Sequence, residues 1–543
     1  MGNNEVVITG LSNPSCAEPP SSRATPGRRS RPVKDPQLHL WLSVVLVLSA
    51  LTVPAESRAE LMLTNFSAAN LLKIMPVGDS ITDDCSTNGA WRAPLQPLLE
   101  TNGIPYTNTG RLLSVGYPGF SKRKHEGYCG AVIGPPGVFA VYNYSLTDAY
   151  LQKIVRDALA ITNNRPDLVL ILIGANDMGR GRNPWTVATN DMPILLGVIF
   201  SNVPNANVIL TKTTTLQDAG IGYGPYATNV PIYNAALQRM VNQRRALGQN
   251  IFLADMFSAV DYSTMFLSDH LHPNPLGLKA IAAEFATRIQ TIVVRPDRTS
   301  PLFVSGGSDW KYSDSGQDLG TNWTQPDFDD TAWSHGIARL GYGDLATATT
   351  VGFGPDPSNK VVTTYFRRSF VVPWNAVITN LNFRLARSAG AAVWLNGQEM
   401  FRANLPAGPL NYTNLALAQM TGYTPHIFYP TNIAVTGLPI GTNTLAVELH
   451  QSSVTNSSLG FDMELIGSGY LIPLPSLSIS QTANQVQFTW PLTNGNGFTL
   501  YSATNLGDPS GWSASAALLQ TNGSHIVVTQ IPDSTTKFYR LQR

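Results

Sequence analysis

Charged side chains are scarce in this chain. Asp, Glu, Lys and Arg make up 13% of the 543 residues, and the formal net charge is +1. Proteins that bind nucleic acid carry a basic patch or stripe, because contacts with phosphates supply much of their affinity. The composition therefore predicts no nucleic-acid partner. Asn, Thr, Ser and Gly supply much of the polarity instead, which suits a β-rich extracellular protein.

Several motifs of common enzyme classes are also missing. The chain has no Gly-x-Ser-x-Gly nucleophile elbow, no P-loop and no dinucleotide-binding glycine fingerprint. The stretch HEGYC at 125–129 begins like a zinc-protease motif, but it lacks the second histidine. We therefore expect no metal and no organic cofactor, and we do not expect a typical α/β-hydrolase.

No apolar run is long enough to cross a bilayer. The run from Leu40 to Val53 falls short of the roughly 20 residues that a membrane span needs. A basic cluster precedes it and small residues follow it, as in a secretory signal. The sequence predicts an N-terminal extension and signal peptide over residues 1–59. The protein would then be secreted or extracytoplasmic, with no stable membrane insertion after cleavage. A retained N-terminal membrane anchor is the alternative.

Apolar strands and amphipathic helices alternate between residues 60 and 297. Runs rich in Val, Ile and Leu, such as PDLVLILIGAND at 166–177, predict buried parallel strands. With helices between them, they predict an α/β three-layer sandwich. After residue 297 the helical pattern ends, and AAVWLNGQEMF at 391–401 predicts a hairpin at its Asn-Gly pair. We expect one all-β sandwich over 298–470 and a smaller one over 471–543.

Two stretches supply the parts of a nucleophilic serine site. Ser80 ends an apolar run in the sequence Gly-Asp-Ser, where the alternative is an ordinary turn. Asp269 and His272 are spaced Asp-x-x-His, which lets a carboxylate reach Nδ1 of the imidazole and leaves Nε2 facing outward. His270 is badly placed for the same bond. Alone, the Asp-x-x-His pair equally suits a structural turn.

Two further stretches offer donors for an oxyanion. Asn176 ends the most hydrophobic strand, where its amide is either such a donor or a cap of the next segment. Gly127 and Gly130 lie in HEGYCG, where a bare backbone amide approaches a ligand closely or serves an ordinary turn. Both stretches therefore remain open to a structural interpretation when taken singly.

Taken in order, these blocks resemble those of SGNH, or GDSL-type, hydrolases. The matches are Gly78-Asp79-Ser80, Gly130, Gly174-Ala175-Asn176-Asp177, and Asp269 to His272. The resemblance covers roughly residues 72–295 and implies a flavodoxin-like parallel sheet. It implies Ser80 as nucleophile, His272 as general base and then acid, and Asp269 as the carboxylate that orients His272. The implied oxyanion donors are the backbone amides of Ser80 and Gly130 and the side chain of Asn176.

The order of KIMPVGDSIT, WRAPLQPLL and HEGYCG resembles family 3 carbohydrate esterases more closely. This implies a secreted serine esterase that removes acetyl groups from a polysaccharide such as that of plant cell walls. One departure is Asp83-Asp84 and then Cys85, where that family tends to have Glu-Gly. The motifs DWKY, FDDTAW and WLNG in residues 298–470 resemble those of galactose-binding-like modules, and NQVQFTW and KFYRLQR in residues 471–543 resemble stretches of fibronectin type III modules. The alternatives are an esterase or lipase acting on lipids, sialic acid or pectin, and a non-catalytic carbohydrate-binding surface protein.

Two cysteines, Cys85 and Cys129, remain after removal of a signal peptide. Cys85 lies five residues past Ser80, and Cys129 directly precedes Gly130. If Ser80 and Gly130 flank one oxyanion, the two sulfurs come close. In an oxidising compartment this predicts a Cys85–Cys129 disulfide, with two buried free thiols as the alternative.

Overall fold

The chain forms two compact units. One unit is Ala55–Ile472, and the other contains Pro473–Arg543. The boundary predicted between residues 297 and 298 lies inside the first unit, and the predicted division into domains stays a prediction. The structure is a computed structural model that describes residues 5–6, 61–83, 89–115, 119–137, 143–145, 147–216, 225–295, 298–422, 424–481, 484–505, 511–531 and 537–543.

The predicted N-terminal extension and signal peptide, residues 1–59, lie outside the described residues apart from Glu5 and Val6. The signal peptide therefore stays a prediction. Within the described part of the chain, no helix combines the length and the apolar character that crossing a bilayer requires.

A mostly parallel sheet forms the centre of the first unit. The strand Leu72–Gly78 lies between Lys124–Gly127 and Leu168–Leu172, and the sheet continues through Asn207–Lys212 to Ile251–Asp255. Tyr106–Asn108 pairs with the start of Leu72–Gly78, and the antiparallel edge strand is Leu112–Leu113. The strand Leu72–Gly78, which comes first in the chain, thus lies inside the sheet. Lys124–Gly127 lies on one side of it and the later strands lie on the other, as in flavodoxin-like sheets.

Helices cover both faces of this sheet. Alternate strand residues such as Met75 and Val77 face one core, while Leu72 and Ile74 face the other. Both cores are buried, so the predicted α/β sandwich agrees with the structure. The helices are Arg92–Thr101, Leu151–Leu159, Ala175–Gly179, Pro184–Thr186, Met192–Asn202, Tyr226–Ala246, Met256–Ala259 and Pro275–Ile292; the 3-10 turns Leu63–Asn65 and Thr162–Asn164 and the π-turn Val187–Asp191 accompany them.

The last of these helices begins at a sequence-encoded cap. Asn274 accepts hydrogen bonds from the backbone N–H groups of Leu276 (2.9 Å) and Gly277 (3.2 Å), and Pro275 occupies the first turn. The helix ends at Ile292, and Val293–Val294 forms a short strand that pairs in parallel with Leu61–Met62.

The first unit also contains a β-sandwich of two six-stranded sheets. The Asn-Gly hairpin is confirmed: Asn396 and Gly397 have φ values of 50° and 83° between Gly390–Leu395 and Gln398–Ala403. One sheet contains Leu302–Val304, Leu340–Tyr342, Thr349–Thr350, Ala376–Arg387, Tyr429–Ala434 and Leu459–Leu471; the other contains Asp309–Ser313, Ser334–Ile337, Thr363–Val372, Gly390–Leu395, Gln398–Ala403 and Gly441–His450, with 3-10 turns at Asn322–Thr324 and Thr424–His426.

The second unit is also built from antiparallel strands. One four-stranded sheet contains Ser478–Gln481, Val486–Pro491, Gln520–Asn522 and His525–Gln530. The other contains Glu5–Val6, Thr499–Ala503, Ser513–Ala514 and Phe538–Gln542. A helical turn lies at Leu492–Gly495. All-β structure therefore follows the α/β part, as predicted. The resemblances to galactose-binding-like and fibronectin type III modules stay predictions.

A buried ion cluster joins the α/β part of the first unit to the β-sandwich. Arg288 lies 3.2 Å from Glu284 on its own helix and 2.6 Å from Glu464 in the sandwich. Arg384, also in the sandwich, lies 3.2 Å from Glu284 and 3.1 Å from Glu464. All four side chains are at most 8% exposed. Two positive and two negative charges alternate here, so each buried charge has two opposite neighbours.

Candidate active site

Ser80 lies in a tight turn at the carboxyl end of the strand Leu72–Gly78. The carbonyl of Asp79 accepts hydrogen bonds from the backbone N–H groups of Thr82 (3.0 Å) and Asp83 (2.9 Å). Gly78 leaves no room for a side chain, because Thr82 and the backbone of Leu172 pack against it. The glycine therefore allows the chain to turn directly after the strand, and Ser80 is half-buried there.

Ser80 and His272 come together although 192 residues separate them. His272 Nε2 lies 2.8 Å from Ser80 Oγ, and His272 Nδ1 lies 2.6 Å from Asp269 Oδ2. The other carboxylate oxygen of Asp269 accepts the backbone N–H groups of Leu271 and His272, each at 3.0 Å. With the imidazole proton on Nδ1, Nε2 is free to accept the proton of the serine hydroxyl.

Asp269 is held in its ionised form. Partial burial alone would raise its pKa, but hydrogen bonds from the backbone and ring of His272 and from the backbone of Leu271 lower the pKa below its usual value. His270 takes a left-handed backbone conformation, with φ 56°, and its ring stacks on Tyr262 at 5.8 Å. The structure therefore separates the two histidines: His272 contacts Asp269 and Ser80, and His270 contacts Tyr262.

The proposed oxyanion residues lie on neighbouring loops at the same sheet edge. Gly78 pairs with Gly127 on one side and with Leu172 on the other. The loops that follow these three strands therefore lie side by side. Asn176 Nδ2 donates to the carbonyl of Ala131 at 3.0 Å. Asn176 is thereby tied to the loop that contains Gly130.

Gly127 and Gly130 differ in their surroundings. The backbone of Asp83 and Thr82 packs against Gly127, so this glycine allows the turn that contains Ser80 to approach the neighbouring strand closely. Gly130 has φ 79°, a left-handed conformation that favours glycine. The structure thus gives Gly127 a packing role, and it places Gly130 in the loop held by Asn176.

Part of the chain matches a known protein family. Residues 74–285 match the family model of GDSL-like lipases and acylhydrolases. The residues matched include Ser80, Asn176 and His272. We refer to residues 74–285 as the GDSL-like domain.

A multidomain esterase of Ruminococcus flavefaciens is 29% identical over 299 residues, which are 52% of this chain and 36% of that protein. The chain thus spans about a third of the length of this relative. Among solved structures, the family 3 carbohydrate esterase of Clostridium thermocellum is 25% identical with a TM-score of 0.32, covering 40% of this chain and 93% of that one. A family 3 carbohydrate esterase of Talaromyces cellulolyticus is 22% identical with a TM-score of 0.31, covering 40% and 96%.

Two buried carboxyl groups lie next to Ser80 and Asn176 in the chain. Asp79 and Asp177, the neighbours of Ser80 and Asn176, are both 0% exposed. Asp79 accepts the backbone N–H of Ile81 at 3.0 Å. Asp177 pairs with Arg182 at 2.7 Å. Burial raises the pKa of Asp79 to about 7, with a further contribution from Asp177.

Burial also raises the pKa of Asp177 to about 7, against the lowering effect of Arg182. Neither aspartate was predicted from the sequence to have a role. The signal available was their position inside Gly-Asp-Ser and Gly-x-Asn-Asp, each beside a residue of the site.

The predicted disulfide involves a residue outside the described part of the GDSL-like domain. Asp84–Asn88, and with them Cys85, are not among the described residues. The Cys85–Cys129 bond therefore stays a prediction. Among the residues that the structure describes, no group of three or more His, Cys, Asp or Glu side chains is arranged to hold a metal ion.

Proposed function

We propose that the protein is an esterase that removes acetyl and other short acyl groups from polysaccharide through a covalent intermediate on Ser80. The observation that carries this proposal is the hydrogen-bonded chain from Ser80 through His272 to Asp269, with links of 2.8 and 2.6 Å. A serine hydroxyl is a weak nucleophile until a base takes its proton, and this geometry supplies that base. The match of residues 74–285 to acylhydrolases supports ester hydrolysis.

In the proposed mechanism, Ser80 Oγ attacks the ester carbonyl while its proton passes to His272 Nε2. Asp269 stabilises the resulting imidazolium through Nδ1. The oxyanion accepts hydrogen bonds from the backbone N–H groups of Ser80 and Gly130 and from the amide of Asn176. The alcohol then leaves with the proton from Nε2. Water, deprotonated by His272, attacks the acyl-serine and restores the hydroxyl of Ser80 and the free acid.

The polysaccharide part of the proposal rests on the order of KIMPVGDSIT, WRAPLQPLL and HEGYCG, which resembles that of family 3 carbohydrate esterases. The N-terminal signal pattern supports secretion to where such polymers occur. The reaction needs no metal or organic cofactor, because the serine, the histidine and the oxyanion donors supply each step.

The test is acetate release from a panel of acetylated polysaccharides, with p-nitrophenyl esters of increasing chain length in parallel. Ser80→Ala and His272→Ala should each lower kcat by about 10⁴-fold or more, because the groups act as a unit. His270→Ala is the matched control and should retain most of the activity. A preference for long-chain esters would refute the polysaccharide substrate. Loss of activity in His270→Ala but not in His272→Ala would refute the assignment of the base.

A further inference from the structure

A large polar cavity opens between the GDSL-like domain and the β-sandwich, apart from the residues that surround Ser80. Its volume is about 850 Å³, which lies within the roughly 300–1,000 Å³ of typical small-molecule sites. One wall is the first turns of the helix Tyr226–Ala246, with Thr228 and Pro231. Loops of the sandwich form the other wall. Neither part of the unit encloses this space alone.

The charged groups of the cavity neutralise one another. Arg339 Nε donates to Asp344 at 2.9 Å, and a second guanidinium nitrogen donates to the carbonyl of Pro425 at 2.7 Å. His426 lies 3.4 Å from the same Asp344. Burial, and then the charge of Arg339, lower the pKa of His426 to about 4, so this histidine is neutral at neutral pH. One positive and one negative charge remain, and they are paired. The cavity therefore does not select an ionic ligand.

The remaining polar lining consists of amides and hydroxyls. Gln419 and Asn456 hydrogen-bond each other at 2.8 Å, and Thr228, Ser457 and Ser458 add hydroxyl groups. Amides and hydroxyls both donate and accept hydrogen bonds, as the hydroxyl groups of sugars do. This lining suits a neutral, hydroxyl-rich molecule.

The helix that forms one wall of the cavity also contacts the short helix that carries Asn176. Tyr226 packs so closely against Gly179 that a side chain there would clash with its ring. Asn229 Nδ2 donates to the carbonyl of Met178 at 3.5 Å. Met178 and Gly179 belong to the short helix that carries Asn176. The turn that forms one wall of the cavity therefore also packs against the helix of a proposed oxyanion donor.

We propose that this cavity binds a neutral segment of the polysaccharide whose acetylated unit reaches Ser80. The inference rests on the proposed function for its ligand class, and it adds a second binding site to that function. A sugar chain held between the helix and the sandwich would increase the local concentration of its ester groups beside the nucleophile.

The experiment measures binding to the intact protein by calorimetry, with probes that carry no ester group and are therefore not consumed. The probes are the deacetylated, neutral hexasaccharides of xylan, mannan and cellulose. At least one should bind with Kd of about 1 mM or tighter. Thr228→Trp, which places a large side chain in the mouth of the cavity, should weaken this binding tenfold or more.

Two further variants make the test specific. Gln419→Ala removes an amide from the other wall and should also weaken binding tenfold or more, which keeps the test valid if Thr228→Trp does not fold. Ala246→Trp, exposed at the far end of the same helix, should leave binding unchanged. Equal loss in all three variants, or no binding of any hexasaccharide up to roughly 10 mM, would overturn the inference.

The outcome separates this inference from the proposed function. If the cavity binds a neutral oligosaccharide but the intact enzyme releases no acetate from any polysaccharide, the proposed function fails and the binding site stands. If acetate is released but no oligosaccharide binds, the binding site fails and the proposed function stands.

Discussion

The buried carboxyl of Asp79 should make the stability of the protein depend on pH in a way that Asp79→Asn abolishes. The pKa of Asp79 is about 7 in the folded protein and 3.8 ordinarily. At a pH between these two values, Asp79 is protonated in the folded protein and ionised in the unfolded chain. Stability therefore falls as pH rises from about 4 to about 7 and is level above that. Asparagine has a similar shape and no charge to bury, so the variant lacks this loss.

The magnitude follows from the size of the shift. One pKa unit corresponds to about 1.4 kcal/mol, so ionising Asp79 in the folded protein costs on the order of 4 kcal/mol. About 3 kcal/mol of this loss of stability occurs as the pH rises from about 4.5 to about 8.5. Asp79→Asn should thus gain about 3 kcal/mol of stability relative to the parent on going from the lower to the higher pH.

Urea unfolding at the two pH values measures this difference. Comparing the variant with the parent at each pH cancels every effect of the substitution that does not depend on pH. Asp327→Asn, at an exposed carboxyl of the β-sandwich, is the control and should follow the parent. A difference between Asp79→Asn and the parent that is the same at both pH values would refute the reasoning, because it would mean that Asp79 carries no raised pKa.

Three further predictions concern the oxyanion, the ion cluster and the cysteines. Asn176→Ala should lower kcat by roughly 10²–10³ with little change in KM, whereas a raised KM alone would make Asn176 a substrate-binding residue. Arg384→Leu should lower the free energy of unfolding by about 3–5 kcal/mol, because two buried carboxylates would then share the single positive charge of Arg288. Arg402→Leu, which breaks a more exposed ion pair, should change it by about 1 kcal/mol or less, and equal losses in urea titrations would contradict this reasoning. Peptide mapping without reduction should recover Cys85 linked to Cys129, and two alkylated cysteines would refute the bond.

Local patterns predicted the parts of the fold that local physics determines. The apolar run before Gly78 is a central strand, the run in 166–177 contains the buried strand Leu168–Leu172, and the turn at Asn396-Gly397 joins two strands. In each case the signal lies in the residues of the element itself.

Contacts between distant parts of the chain left no such signal. Glu464 lies 176 residues from Arg288, and neither residue belongs to a recognisable motif. The raised pKa of Asp79 likewise depends on burial beneath other segments and on the charge of Asp177. The residue types of the site could be predicted from motifs, but the electrostatic environment behind them depends on the complete tertiary structure.

The four-membered ion cluster has a consequence for recombination between related enzymes. Glu284 and Arg288 belong to the helix Pro275–Ile292 of the α/β part, while Arg384 and Glu464 belong to the sandwich. In a chimera that receives an unrelated sandwich, Glu284 and Arg288 would keep each other, but each would lose its second opposite charge in a buried place. Productive exchange would therefore transfer the helix Pro275–Ile292 together with the sandwich, or replace all four residues at once. The segment that can be exchanged is thus larger than the sandwich alone and includes a helix that packs against the sheet carrying Ser80.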